Sequence, residues 1–258
     1  MPPDFSGLSE LEARVLRLIE SRPAPGRHAG RNAFHHLERA KALASLDPEM
    51  ALFRSITAEE EAVRAIFHAL QRRKYPGANR LNWRNHTQKA AVIPFFSAIA
   101  ALVAKGPIPA PKLQLLEEEG KDTLRLRFEI DFPDGVRRAV TPAFPLDLAI
   151  HVDGNAPTYR VELDELLSQA SVATVAEWVK GRANERNRLL YATDQGIPGL
   201  IGDTATPLAD RRGNTFSCLA VYLMIDLFDK HQLFVLQCLP VFLSLFDRLP
   251  PPTPDEAS

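Results

Sequence analysis

The chain has 258 residues, enough for one large domain or two small ones with a real core, and its 45% hydrophobic and 24% charged content excludes a disordered chain. A formal net charge of −1 excludes a global basic field for nucleic acid, so any RNA contact has to use a local patch. The two cysteines, Cys218 and Cys238, stand in apolar surroundings without CxxC or Cys/His spacing. They read as buried free thiols in a reducing compartment, and neither a metal site nor a cofactor is expected.

The N-terminus is acidic and polar, unlike a signal peptide, and points to a cytoplasmic protein. Leu8, Leu11, Val15, Leu18 and Ile19 have helical spacing over residues 7–21, with Ser6 or Ser9 as cap. Residues 22–31 hold two prolines and two glycines and read as a linker, so residues 1–30 are expected to form a detachable arm. A second helix is predicted over 31–46. Asp47-Pro48, an N-cap followed by proline at the first helical position, starts a third that runs to about Arg73. Its apolar stripe is Met50, Leu52, Phe53, Ile56, Val63, Ile66, Phe67 and Leu70, and the turn Tyr75–Asn79 ends it. A fourth helix is predicted over 83–105, kinked at Pro94 and closed by Pro107, Pro109 and Pro111.

From there the pattern changes. Leu124, Leu126, Phe128, Ile130 and Phe132 alternate with period two, as a half-buried strand does. Residues 148–152 and 159–161 read as further strands around the turn Asp153-Gly154-Asn155. Helix returns over 172–192, and a loop continues to Asn214. Two apolar helices, 215–230 and 232–247, precede a proline-rich tail expected to be disordered. The apolar run Leu219–Phe246 is broken by Asp226, Asp229, Lys230 and His231, so it reads as a buried helix pair or a subunit interface and not as a membrane span. The expected organisation is an arm at 1–30, a helical block at 31–106, a β-rich insert at 107–165, bundle-completing helices at 166–248 and a tail at 249–258.

Four groups of residues could carry chemistry. Glu60-Glu61-Ala62-Val63-Arg64-Ala65 places charge inside an apolar helix; it is either a solvated face or the acidic half of a polar seam. Arg84, His86 and Lys89 open the fourth helix, where they could meet an anion or simply form a charged first turn. Arg186 lies seven residues after Val179, on or near the inward face of its helix, where it needs a partner such as Glu60 or Glu61. Arg31 and His36 could combine phosphate binding with general acid–base work, or lie at the surface as polar residues of a helix start.

Three of these pieces together resemble the AbiV-type abortive-infection proteins, which are similar to the wider HEPN group of helical bundles. The pieces are Asn32 to Leu46, Met50 to Leu70 with Glu60-Glu61-x-x-Arg64-Ala65, and Arg84-Asn85-His86-x-x-Lys89, covering roughly residues 31–103. The resemblance implies a mainly α, HEPN-like bundle, here with a small inserted antiparallel β-sheet, that forms a homodimer in a bacterial phage-defence or stress system. Ribonuclease members of that group carry arginine, a polar residue, three further residues and histidine on one helix. This chain offers Arg186-Asn187 with Tyr191 in the histidine's place, and tyrosine, with a pKa of about 10, is a poor base at neutral pH. The expectation is therefore a dimeric interaction module whose partner is RNA or another protein. The alternative is a metal-independent endoribonuclease using Arg186, Asn187 and Tyr191, or Arg31 and His36. A third possibility is that the insert and residues 194–214 bind a ligand or partner.

Overall fold

The computed structural model describes residues 9–105, 112–118, 121–132, 134–147 and 205–248, with isolated positions between 177 and 189. Among them the chain is mainly helical, with one small antiparallel sheet. The order is α1 (Glu10–Glu20), α2 (Gly26–Leu43), α3 (Pro48–Arg72), α4 (His86–Ala90), α5 (Val92–Lys105), β1 (Lys112–Glu118), β2 (Lys121–Asp131), β3 (Arg137–Val140), α6 (Ala205–Asp226) and α7 (Leu233–Arg248). The expected strands at 148–152 and 159–161 lie outside the described residues, as does most of the 172–192 helix. Glu177, Val179, Gly181, Arg182, Glu185 and Leu189 are helical there.

Local sequence explains the helix starts. Ser9 caps α1 with a capping box, its hydroxyl accepting from the Glu12 N–H while the Glu12 carboxylate accepts from the Ser9 N–H at 2.8 Å. Asp47 caps α3, accepting from the Met50 N–H at 2.9 Å, with Pro48 where a missing N–H costs nothing.

The detachable arm is not observed. Val15, Leu16, Leu18 and Ile19 of α1 are buried in the common core. The expected linker over 22–31 is also corrected, because α2 begins at Gly26 and runs through it. Its glycines serve close approach. A Cβ at Gly30 would stand 2.8 Å from Cγ2 of Ile19, and one at Gly26 would stand 3.0 Å from Tyr222. The single fourth helix over 83–105 is two helices. Proline 94 is the third residue of α5, and its ring excludes the carbonyl of Ala90, so the break falls at Ala91 ahead of the proline.

The core is shared by helices and sheet. α3 is central, with Val63, Ile66, Phe67 and Leu70 against Leu219, Leu223, Val241 and Phe242 of α6 and α7. β2 pairs with β1 on one side and β3 on the other, with Leu115 opposite Leu124 and Phe128 opposite Val140. Alternation along β2 buries Leu124, Leu126 and Phe128 as the sequence predicts. The turn between α6 and α7 is held by Gln232, which is fully buried. Its Oε1 accepts from the Leu146 N–H at 2.7 Å, and its Nε2 donates to the Met224 carbonyl at 2.6 Å. The expected loop up to Asn214 ends earlier, since α6 starts at Ala205. Among the described residues no helix is long and apolar enough to cross a membrane.

Candidate functional site

Along α3 the apolar stripe is interrupted by Glu59, Glu60 and Glu61, and each meets a different partner. Glu59 follows Ile56 by three residues and precedes Val63 by four, so it lies on the inward face. Its side chain is 7% exposed, and that of Arg211 on α6 is 9% exposed. Arg211 Nη1 donates to both carboxylate oxygens, at 3.0 and 3.1 Å, and Asn214 Nδ2 donates at 3.2 Å. Arg182 pairs with the same carboxylate, and Arg211 pairs also with Glu185. Burial pulls the Arg211 guanidinium down, but the Glu59 and Glu185 charges outweigh it and hold the group above its ordinary value. Beneath this network, burial first and the Glu59 charge second push the Cys218 thiol far up. Cys238 is pushed up to about 12 by burial alone, so both thiols are inert.

Glu60 faces α4. Its carboxylate contacts His86 Nδ1 at 3.0 Å and Lys89 Nζ at 2.8 Å, and the Lys89 side chain is 7% exposed. Glu61 reaches Arg64 Nη1 at 3.4 Å. Arg64 lies 4.2 Å from the centroid of Trp83, and Arg84 lies 4.7 Å from the same ring. Arg64 Nε also donates to His68 Nε2 at 3.3 Å. Burial, and then the Arg64 charge, hold His68 below the ordinary histidine range. The sequence residues Glu60, Glu61, Arg64, Arg84, His86 and Lys89 are thus brought together along the α3–α4 contact. The solvated-face alternative for Glu60 and Glu61 is corrected, since both carboxylates are largely buried. The anion site expected from Arg84, His86 and Lys89 is filled from within. Glu60 contacts His86 and pairs with Lys89, and the Asn85 side-chain Oδ1 accepts from the Gln88 N–H at 3.0 Å at the start of α4.

Glu60 makes the seam pH-dependent. Burial raises its pKa, yet the His86 hydrogen bond and the Lys89 charge outweigh burial and leave it below the ordinary carboxylate value. A carboxylate depressed in the folded state stabilises above its unfolded pKa of about 4.3, and the gain disappears as pH falls through the folded value. Urea unfolding of wild type and Glu60→Gln is therefore expected to show a stability gap at pH 7 that narrows below about pH 4. A gap of the same size at both pH values contradicts this.

The remaining candidates fare differently. Arg186, Asn187 and Tyr191 lie outside the described residues. Arg31 and His36 are described and do not converge. Five residues turn a helix by about 500°, which leaves His36 about 140° from Arg31. Arg31 Nε donates to Glu20 of α1 at 2.6 Å, whereas His36 Nδ1 lies 3.4 Å from Arg54 Nη1 of α3. The cross-bundle carboxylate is Glu59, with Arg182 and Arg211 as its described arginine partners. Glu59 was detectable as a charge on an apolar stripe. Arg211 was hidden because its segment reads as loop. Among the described residues, no group of three or more histidine, cysteine or carboxylate side chains could hold a metal ion.

A second feature is apolar. A pocket of 380 Å³ opens between α3, α5, α6 and α7, and every residue lining it is apolar. Phe67, Leu70, Phe95 and Phe242 form its buried wall, and half-exposed Phe96, Ile99, Val221 and Phe234 carry it to the surface. Comparison of the chain with protein-family models, curated proteins and solved structures finds no match.

Proposed function

We propose that this chain is a HEPN-like helical protein acting as a homodimeric interaction module in a bacterial phage-defence or stress system. The observation that carries the reading is the all-apolar pocket between α3, α5, α6 and α7. Its rim leaves Phe96, Ile99, Val221 and Phe234 half in water. A second chain that covers such a rim removes apolar surface from water without having to bury a charge. A two-fold pair sets the same patch against itself, as self-complementary apolar surfaces allow. The charged seam supports the same reading, because its acids and bases are spent on one another. The resemblance of Glu60-Glu61-x-x-Arg64-Ala65 and Arg84-Asn85-His86-x-x-Lys89 to AbiV-type proteins also supports it.

Light scattering at micromolar concentration tests it. Wild type is expected to show a dimer mass, and Ile99→Asp a monomer mass with helical content retained. A monomeric wild type overturns the reading. Incubation of the same preparation with RNA in EDTA tests the enzymatic alternative. Cleavage lost in Arg186→Ala would make the chain a metal-independent endoribonuclease.

A further inference from the structure

The end of α1, the start of α2 and the ends of α3 and α6 meet at one corner of the bundle. Two arginines there complete α6. Arg72 donates to Asp226 Oδ1 at 2.8 Å through Nε and at 2.6 Å through Nη2, and to the Asp226 carbonyl at 3.0 Å. Arg73 pairs with that carbonyl and with Asp229. Cations at the negative end of a helix dipole need no further explanation.

Two more arginines are left over. Among the described residues Arg22 holds only the Ser21 hydroxyl, at 3.2 and 3.1 Å. The Arg27 guanidinium makes no hydrogen bond among the described residues, and its Nε is buried without a partner. Among the described residues neither arginine has a carboxylate within ion-pair distance, although the Arg27 charge acts on Glu20. Yet both act electrostatically on the phenol of Tyr222, as does Arg72.

At the same corner α6 carries two unsatisfied groups one helical turn apart. Tyr222 is fully buried, and among the described residues its Oη has no partner. Asp226 is 2% exposed and its Oδ2 has none. Buried polar atoms are almost always paired, so these two groups, with two guanidiniums whose charge reaches Tyr222, point to something that binds there. The start of α2 abuts the same hydroxyl, since a Cβ at Gly26 would lie 3.0 Å from Tyr222 Oη. That helix start has no side-chain cap, which adds a positive dipole end.

The donor and acceptor inventory defines the ligand. Arg22, Arg27 and the Tyr222 hydroxyl need acceptors carrying negative charge. Asp226 Oδ2 needs a donor. A phosphate group supplies both near neutrality, because its second pKa is about 6 and part of it keeps a P–OH. Sulfate supplies only acceptors.

We propose that this corner binds a phosphate group, with Arg22, Arg27 and the Tyr222 hydroxyl donating to its oxygens and Asp226 Oδ2 accepting from its protonated oxygen. Tyr222 and Asp226 are closed to solvent, so the group reaches them as the half-exposed Arg22 and Arg27 side chains swing outward.

Thermal unfolding of the full chain at pH 6.5 tests this. The additives are inorganic phosphate, a nucleoside 5′-monophosphate, and sulfate at matched ionic strength. Phosphate at a hundredfold excess over Kd is expected to raise the midpoint by roughly 5–10 °C. Sulfate gives only the smaller, general rise of an excluded salt. Replacing both Arg22→Ala and Arg27→Ala should abolish the excess of phosphate over sulfate. Tyr222→Phe removes an orphan hydroxyl and keeps the ring, so the variant folds, and its phosphate response is expected to fall. A larger response to the nucleoside monophosphate assigns the group to an ester, and a larger response to inorganic phosphate assigns it to the free ion. Equal responses to phosphate and sulfate overturn the proposal. So does an undiminished phosphate response in the double arginine variant.

Discussion

Glu59→Ala is expected to destabilise the fold by about 3–5 kcal/mol, the cost of breaking a buried ion pair from one side. The variant leaves Arg211, whose side chain is 9% exposed, without its bidentate carboxylate, and removes the acceptor of Arg182 and Asn214. Glu185, whose side chain is 35% exposed, remains as a lesser partner for Arg211. Urea unfolding monitored by far-UV circular dichroism measures the loss. A double-mutant cycle with Arg211→Met isolates the pair, because a hydrophobic residue of similar length removes the stranded charge. The double variant should therefore be more stable than Glu59→Ala alone. A loss below about 1 kcal/mol for Glu59→Ala would place this carboxylate among ordinary surface ion pairs.

Phe242→Ala is expected to cost about 3–5 kcal/mol, the range for removing a large aromatic side chain from a core. Phe242 is 5% exposed on α7 and meets three other rings. Its centroid lies 5.2 Å from Phe95, 5.2 Å from Phe246 and 6.4 Å from Phe67. These contacts tie α3, α5 and α7 together, and edge-to-face pairs add to area burial. Phe242 also lines the 380 Å³ pocket, so its removal enlarges a space that is already open instead of letting neighbours collapse into it. Phe242→Leu keeps most of the volume and should cost under about 1.5 kcal/mol. Equal losses for the two variants would show that the ring contacts contribute little.

Much of the architecture was legible because it depends on local signals. The pair Asp47-Pro48 specifies a helix start wherever it stands, and α3 begins there. Alternation along Leu124, Leu126 and Phe128 specifies a strand with one buried face, and β2 has it. β1 and β3 were missed. Val140, on β3, is exposed, and a strand with no buried face has no apolar alternation to read. The segment 22–31 was misread for the opposite reason. Glycine reads locally as a breaker of structure, but Gly26 and Gly30 are small so that Tyr222 and Ile19 can approach α2.

The site was legible only in part. Periodicity placed charges on α3, and Glu60 does meet His86 and Lys89. The choice of Glu59 as the deeply buried carboxylate depended on Arg211, which lies 152 positions away in the chain. No local pattern reports a partner at that separation.

The amino-acid sequence by itself determined the helical class, the cap at Asp47, the face that β2 buries and the burial of both cysteines. These follow from backbone propensity and from the period of hydrophobic residues, which act within a few positions of one another. Only the tertiary structure decided that Glu60 and Glu61 are covered, that Glu59 carries the buried ion pair, and that Arg31 and His36 do not cooperate. It alone brought Arg22 and Arg27 within electrostatic reach of Tyr222. Charge placement of this kind depends on which distant helix closes over a side chain and removes its water.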